Sequence, residues 1–301
     1  LEKQRRNNVE NVKRKVLIIG GGASGLMAAI MAAREGAEVT ILEHMDRVGK
    51  KILSTGNGRC NLTNLSLKPE HYRSSQKLFP MKVLDRFSVW DTLSFFDGIG
   101  IITRNRNGYI YPNSDQAASV LDALRFETEH LGIKTVLSCQ IRSAKKTKNG
   151  SFLVESDQGT YQGDCLILAT GSKAAPVSGS DGSGYELAKA FGHTIIKPLP
   201  ALVQLRCKGT FFKQLAGVRC EAVVRLVSDG KTLAADEGEV QLTDYGISGI
   251  PTFQVSRYAS QALDAGRRVN AVLDFFPSKS MEDTRAMLKQ RKSMLGYRPS
   301  G

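Results

Sequence analysis

The fold is decided by the stretch Val16-Leu17-Ile18-Ile19-Gly20-Gly21-Gly22-Ala23-Ser24-Gly25. Its apolar first part predicts a buried β-strand, and its glycines follow the pattern G-x-G-x-x-G. In such a turn Gly20 allows the tight bend, and Gly22 lets the backbone approach a pyrophosphate. Gly25 lets the following helix pack closely on the strand. The stretch therefore predicts a dinucleotide-binding turn.

The residues that follow complete the expected context. A helical pattern covers 24–34, and a second apolar strand ends at Glu43, 23 residues after Gly20, near the usual spacing of about 20. The helix start, with Ala23 and Ser24, offers free N–H groups and a positive dipole end to phosphates. Glu43 is placed to accept hydrogen bonds from a ribose diol. A glycine-rich turn without function is the alternative.

Composition and charge exclude several classes of protein. The net charge is +13 over 301 residues, but residues 1–15 and 279–301 each carry six Lys/Arg against two acids. The basic charge is thus concentrated at the ends, which favours solvated tails over a nucleic-acid surface. No apolar run is long enough for a membrane span, and the charged start lacks a signal-peptide core. We expect a cytoplasmic protein.

Five cysteines are widely spaced along the chain: Cys60, Cys139, Cys165, Cys207 and Cys220. The spacing fits neither a disulfide framework nor a metal site, so no metal is predicted. A disulfide reductase of the flavin type is excluded because it needs a closely spaced cysteine pair. We expect Cys60 to be an inert buried residue.

A long polar connection follows Glu43 and extends to Asn64. Compact domains rarely keep such a connection unless it binds something. Its glycines and asparagines tolerate left-handed backbone, in which successive N–H groups can form a binding nest. A decorated surface loop is the alternative.

The order of predicted elements outlines the first domain. Residues 76–97 are predicted to form two helical pieces, and 101–111 a hairpin that turns at Asn107-Gly108. A helix over 115–131 and strands near 134–136, 139–146 and 152–156 follow, with a three-stranded pattern typical of an insertion in flavin-binding domains.

Another fully apolar strand, further along the chain, ends in Ala169-Thr170-Gly171. Its composition predicts a central parallel strand buried on both faces, whose end passes close to a cofactor at the carboxyl edge of the sheet. A plain strand and turn is the alternative. No strand directly precedes Gly179–Gly184, so this stretch is predicted to begin a helix and not to form a second dinucleotide turn.

Beyond Pro198 alternating strands predict a second, β-rich domain. A glycine-rich turn, Thr243–Pro251, is predicted to open a helix that reaches about Leu263. Free N–H groups at this helix start could stabilise a negative oxygen or merely be capped. The predicted division is a basic tail over 1–14, a cofactor domain over 15–197 and a substrate domain over 198–301 that includes the start of a helical segment.

The block Gly49–Asn64 resembles the signature of the bacterial BaiN-type flavoproteins, also described as aminoacetone-oxidase-like FAD-binding enzymes. Pro200–Val203 and Tyr245–Gly249 are similar to further blocks of that family. The resemblance covers Val16 to about Phe276. It implies a Rossmann-like α/β fold that binds FAD, with a β-rich domain inserted in it, and reduction by NAD(P)H.

The resemblance also implies a set of cofactor-binding residues. In this picture the glycine turn and Glu43 hold the ADP half, the backbone near Ile141 meets the adenine, and Gly49–Asn61 approaches the flavin ring and the pyrophosphate. Together with the residue patterns above, the predicted cofactor-binding residues are Gly20, Gly22, Ala23, Ser24, Gly25, Glu43, Gly49, Lys50, Asn57, Gly58, Cys60, Asn61, Ile141, Ala169, Thr170 and Gly171.

The chain departs from the family pattern in two places. Many members have Thr-His-x-Gly where this chain has Thr243-Asp244-Tyr245-Gly246, so no histidine role is carried over. Members also return to the FAD domain through a C-terminal segment, and nothing after Phe276 resembles it. We expect a truncated chain or omitted segments, with a flavin pocket that is incompletely closed.

These observations predict an FAD-dependent oxidoreductase that NAD(P)H reduces and that passes electrons to an organic acceptor or oxygen. The flavin carries the chemistry, so no catalytic side chain is assigned. One alternative is an NAD(P)-dependent dehydrogenase without flavin, because both cofactors share the ADP half. Another is a non-catalytic nucleotide- or RNA-binding module that uses the basic ends. The expected partner is a small-molecule substrate, with no nucleic acid or membrane.

Overall fold

The computed structural model describes residues 13–74, 76 and 78–297. Most of the predicted basic tail over 1–14 and the last four residues of the chain lie outside the described residues. The chain divides into two compact units, Leu1–Ile196 and Lys197–Gly301.

The first unit alternates strands and helices along the chain. Its elements are β1 (Lys15–Ile19), α1 (Ala23–Arg34), β2 (Glu38–Leu42), β3 (Thr63–Asn64), α2 (Phe79–Leu84), α3 (Val89–Gly98), β4 (Thr103–Arg106), β5 (Tyr109–Pro112), α4 (Ala117–His130), β6 (Lys134–Val136), β7 (Ile141–Lys146), β8 (Phe152–Ser156), β9 (Gly159–Gly163), β10 (Cys165–Leu168) and α5 (Gly184–Ala190), with a 3₁₀ helix at Ile52–Gly58.

A parallel four-stranded sheet organises this unit, with the strand order β10-β1-β2-β6. The interior strand β1 is buried from Val16 to Ile19, as expected for an apolar run between two parallel neighbours. On one face of the sheet, α1 and α4 contribute to a core that includes Leu26, Ile30 and Val120. The carboxyl ends of β1, β2 and β10 meet at one edge, where open α/β sheets bind ligands.

Two small antiparallel sheets complete the first unit. Strands β7, β8 and β9 form the three-stranded insertion expected from the sequence. They contribute Ala144 and Val154 to a second core with Leu17 and Ile19 of β1. The other sheet, β3-β5-β4, contains the predicted hairpin with Asn107 and Gly108 at its turn.

The second unit is built on one five-stranded antiparallel sheet, in the order β11-β14-β13-β12-β15. Its elements are β11 (Leu205–Arg206), α6 (Phe212–Leu215), β12 (Arg219–Ser228), β13 (Lys231–Thr243), β14 (Gly246–Gly249), α7 (Ile250–Asp264), β15 (Asn270–Asp274) and α8 (Met281–Leu295). Helix α7 packs on the sheet through Val255 and Ala259. The Rossmann-like α/β fold with a three-stranded insertion and a second β-rich unit is confirmed.

Two details of the sequence prediction are wrong. Strand β10 is not central, because it pairs with β1 alone in the described sheet, and all four of its residues are partly exposed. Its apolar side chains contact cores on both faces of the sheet, which explains the composition. The predicted turn before α7 contains the short strand β14, which pairs with β13 and β11.

None of the described helices is long and apolar enough to cross a membrane.

Candidate functional site

A cavity of about 450 Å³ lies at the carboxyl edge of the parallel sheet. This volume is within the range of small-molecule and cofactor sites, roughly 300–1,000 Å³. Its wall is formed by the glycine turn, the loop after β2, the start of β7 and the loop after β10. Of the predicted site residues it contains Gly20, Gly22, Ala23, Ser24, Glu43, Gly49, Lys50, Ile141, Ala169, Thr170 and Gly171.

The three glycines of the turn differ in what surrounds them. Gly20 has φ +104°, and a Cβ there would lie 2.5 Å from the carbonyl oxygen of Ala169. A Cβ on Gly25 would lie 1.9 Å from the carbonyl oxygen of Gly20, so helix α1 packs against the turn only because this residue has no side chain. A Cβ on Gly22 would meet no protein atom within 4 Å. Gly22 thus leaves open the space that a pyrophosphate needs.

The N-terminus of α1 points its backbone at the cavity. The N-cap residue Gly22 provides no side-chain cap, and the first turn carries no acid. The first N–H groups of a helix have no partner within the helix, and the helix dipole favours an anion beside them. Ala23 and Ser24 both line the cavity, so these groups can bind phosphate oxygens.

Glu43 holds the glycine turn in place. Its side chain is buried, and its carboxylate accepts hydrogen bonds from the backbone N–H of Gly21 at 2.6 Å and of Met45 at 2.8 Å. An ionised carboxylate has about four acceptor positions, so it keeps capacity for a ribose hydroxyl. Glu43 thus combines a structural role, which the sequence argument missed, with a place on the cavity wall.

The loop after β2 divides into two parts. Gly49 and Lys50 line the cavity, whereas Asn57, Gly58, Cys60 and Asn61 are not part of its wall. Left-handed backbone is found at Gly56, Asn57, Gly58 and Cys60, in line with the Gly/Asn composition. A Cβ on Gly56 would lie 2.8 Å from the backbone nitrogen of Asn61.

Cys60 is buried, and this burial raises the pKa of its thiol, against a smaller lowering by a hydrogen bond with Thr55. The thiol is therefore protonated at neutral pH.

The end of β10, Ala169-Thr170-Gly171, forms the part of the cavity wall that lies beside the glycine turn. Ala169 contacts the turn closely, and Thr170 packs against Gly184, where a Cβ would lie 1.8 Å from the hydroxyl oxygen. Gly25 lies behind the turn and has a packing role.

Several wall residues were missed from the sequence. They are His44, Met45, Arg47, Cys139, Gln140, Arg142, Ser178, Ser180, Ser183, Glu186 and Leu187, together with Gly179. Lys51, Ile52 and Thr55 also line the wall and belong to the stretch Gly49–Asn61 that the family resemblance implies as a cofactor loop. A usable signal existed for the loop over 171–183, since it directly follows a strand that ends at the cofactor edge. The sequence predicts only a helix start at Gly179–Gly184, because no strand directly precedes this stretch, whereas Gly179, Ser180 and Ser183 line the cavity.

The charges on the wall favour an anion. The wall carries four basic side chains, Arg47, Lys50, Lys51 and Arg142. It carries two acidic ones, Glu43 and Glu186. Lys50 forms an ion pair with Asp46 at 2.8 Å. The residues present therefore fit a dinucleotide: an open backbone at Gly22, a free helix N-terminus and an excess of cations.

The profile of the HI0933-like protein Rossmann domain matches residues 14–272. The chain belongs to the HI0933-like family. A 3-dehydro-bile acid delta(4,6)-reductase of Clostridium scindens is 45% identical to this HI0933-like chain over 273 residues, which cover 90% of the chain and 66% of the relative. A ribosomal RNA dihydrouridine synthase of Haemophilus influenzae is 29% identical over 280 residues, 91% of the chain and 67% of the relative.

Among solved structures, the open conformation of a flavocytochrome c3 fumarate reductase is similar to the HI0933-like chain with a TM-score of 0.45. The identity is 15%, over 69% of this chain and 47% of that one. The HI0933-like chain spans 66% of the length of its Clostridium scindens relative. The predicted resemblance to the BaiN-type flavoproteins, a family of oxidoreductases, is confirmed.

Proposed function

We propose that the cavity binds FAD and that the chain is part of a flavin-dependent reductase with NAD(P)H as electron donor. The observation that carries this proposal is the meeting of Gly22, the N-terminus of α1 and Glu43 on one wall. Together they offer an approach for a pyrophosphate, donors for its oxygens and an acceptor for a ribose. FAD, when bound, supplies hydride transfer between a nicotinamide and an organic acceptor.

The chain's own residues have binding roles in this proposal. Ala23 and Ser24 would donate backbone hydrogen bonds to the diphosphate, and Arg47 and Lys50 would balance its charge. The backbone near Ile141 would meet the adenine. Asn57, Gly58, Cys60 and Asn61 remain proposed flavin-proximal residues. We also propose that 15–197 is the cofactor domain and 198–301 the substrate domain.

The acceptor that we propose is a carbon–carbon double bond conjugated to a carbonyl. The names of the two relatives support this class, since one reduces a 3-dehydro-bile acid at positions 4 and 6 and the other makes dihydrouridine. Dihydrouridine differs from uridine by two hydrogens across a double bond beside a carbonyl. The overall reaction would consume the unsaturated carbonyl compound, NAD(P)H and a proton. It would yield the saturated carbonyl compound and NAD(P)⁺.

A small molecule is the first candidate for this acceptor, because the bile-acid reductase is the more similar of the two relatives. A uridine in ribosomal RNA is the second, supported by the Haemophilus influenzae dihydrouridine synthase at 29% identity and by the basic ends of the chain, which carry most of its net charge of +13. Attraction of a basic protein to RNA falls steeply with salt concentration.

Anaerobic titration tests the proposal. NADH or NADPH is added to the FAD-loaded protein, and a 3-oxo-Δ4,6 steroid or an unmodified ribosomal RNA follows. We expect the flavin absorbance to bleach with one nicotinamide and to return with one acceptor. Failure of both nicotinamides to bleach a bound flavin contradicts the proposed donor, and return with oxygen alone contradicts the proposed acceptor class.

A further inference from the structure

One wall of the cavity is a loop with little packing of its own. This loop, residues 171–183, connects β10 to α5, and it contributes Gly171, Ser178, Ser180 and Ser183 to the wall. Its first half is exposed to solvent from 171 to 177. Loops with few buried contacts open with a low free energy, so the attachments of this loop decide how firmly it closes the cavity.

Two attachments lie at the base and at the far side of the loop. At the base, the hydroxyl of Tyr185 lies 2.9 Å from Ser172 Oγ and 3.2 Å from the backbone nitrogen of Lys173. At the far side, Gly179 packs so closely on the loop after β2 that a Cβ would lie 2.8 Å from His44 Nε2 and 3.0 Å from Met45 Cγ.

The third attachment is a lysine from the opposite wall. Lys51 Nζ donates to the carbonyl oxygen of Ala174 at 2.5 Å and to Ser180 Oγ at 3.0 Å. These two partners lie six residues apart, Ala174 in the first half of the loop and Ser180 in the second half. Ser180 is buried against Gly171, where a Cβ would lie 2.9 Å from the serine hydroxyl. One ammonium group therefore hydrogen-bonds both halves of the loop to the segment after β2.

We propose that Lys51 is a positioning residue that fastens the 171–183 loop across the cavity and thereby slows the release of the bound dinucleotide. This inference rests on the proposed function. A charged donor forms stronger hydrogen bonds than a neutral one, and the cofactor would leave only when its wall opens. Lys50, the neighbouring lysine, pairs instead with Asp46 and lies outside this attachment.

The substitution Lys51→Met tests the attachment, because it keeps the apolar stem of the side chain and removes its donors. Hydrogen exchange of the 172–180 amides is measured on the full chain after FAD removal, and the rate of FAD release is measured by fluorescence. We expect faster exchange and roughly tenfold faster release, the equivalent of one charge-assisted hydrogen bond. Lys148→Met, in the exposed turn between β7 and β8, should change neither.

A second variant separates fastening from direct phosphate binding. Ser180→Ala removes one acceptor of Lys51 and leaves the ammonium in place, so exchange of the loop should also accelerate. The double variant should be less affected than the sum of the two single variants, because both remove the same contact.

Faster FAD release in Lys51→Met with unchanged loop exchange would mean that Lys51 binds the cofactor directly, and this overturns the proposal. The proposal is also overturned if Lys51→Met changes neither the hydrogen exchange of the loop amides nor the rate of FAD release. Absence of FAD binding by the unsubstituted chain contradicts the proposed function instead, and the exchange experiment without FAD still decides the fastening.

Discussion

At the scale of single residues, two glycines of the first turn lack a side chain for different reasons. Gly25 is required by the protein itself, since the carbonyl oxygen of Gly20 occupies the place of a Cβ. Gly22 is required by nothing in the described protein, because a Cβ there would lie in open space on the cavity wall. The first contributes to folding, and the second fits ligand binding.

The substitutions Gly22→Ala and Gly25→Ala should therefore have opposite signatures. For Gly25→Ala we expect a lower melting temperature of the FAD-free protein, because a methyl group in a filled space costs about 1–3 kcal/mol. For Gly22→Ala we expect an unchanged melting temperature and an FAD dissociation constant raised about tenfold or more, a change of about 1.4 kcal/mol. Calorimetry and fluorescence titration measure the two effects. Equal loss of stability in both variants would contradict this assignment.

Cys60 provides a second prediction at this scale. Its burial raises the thiol pKa, so the reactive thiolate is scarce at neutral pH. Alkylation by iodoacetamide, located by peptide mass spectrometry, should be slow at pH 7 and accelerate only above the ordinary thiol range. Cys165 is partly exposed and serves as the internal reference. Modification of both cysteines at the same rate near pH 7 would show that Cys60 is accessible.

At the scale of elements, the sequence predicted most helices and strands because their signals are local. An apolar run predicted β1, a helical pattern predicted α1, and glycine-containing turns predicted the hairpin β4–β5 and the insertion β7–β9. Position within a sheet is not local, and the apolar strand β10 was therefore placed at the centre when it lies at the edge. The loop over 171–183 is a different case, because its position directly after a strand that ends at the cofactor edge was a usable signal. Its contacts with His44 and Lys51 are long-range and were not predictable.

The start of α3 gives a prediction for one element. Ser88 Oγ accepts from the backbone N–H of Asp91 at 3.2 Å, and Asp91 Oδ2 accepts from the N–H of Ser88 at 2.7 Å. We expect Ser88→Ala to destabilise α3 locally by about 1 kcal/mol, measured by hydrogen exchange of its amides. Ser94→Ala, inside the same helix, is the control and should have a smaller effect.

This effect should depend on pH. Hydrogen bonds with Ser88 hold the pKa of Asp91 below its ordinary value, so the stabilising contribution is present above the unfolded-state pKa. It is lost as the pH falls through the lower, folded-state pKa. The difference between Ser88→Ala and the unsubstituted chain should thus shrink in acid. A difference that is constant from neutral to acidic pH would contradict the role of the Asp91 carboxylate.

At the scale of the whole molecule, the two units have different architectures, a parallel sheet with helices and an antiparallel sheet with α7. The site residues that the sequence predicted belong to recognisable local patterns: the glycine turn, the acid Glu43 at the end of the second strand, and the small residues at the end of β10. The cationic residues Arg47 and Arg142 were not predicted, because a single charged residue has no sequence pattern that places it on a cavity wall.

Binding of FAD to this wall can be measured by a visible absorption titration. Purified protein is titrated with FAD, and the bound flavin is counted after removal of free FAD, with Gly22→Ala as the matched variant. We expect about one FAD per chain, with a resolved flavin band, and a large loss of bound flavin in the variant. A chain that folds but retains no flavin, or a variant that retains as much as the unsubstituted chain, would contradict the claim.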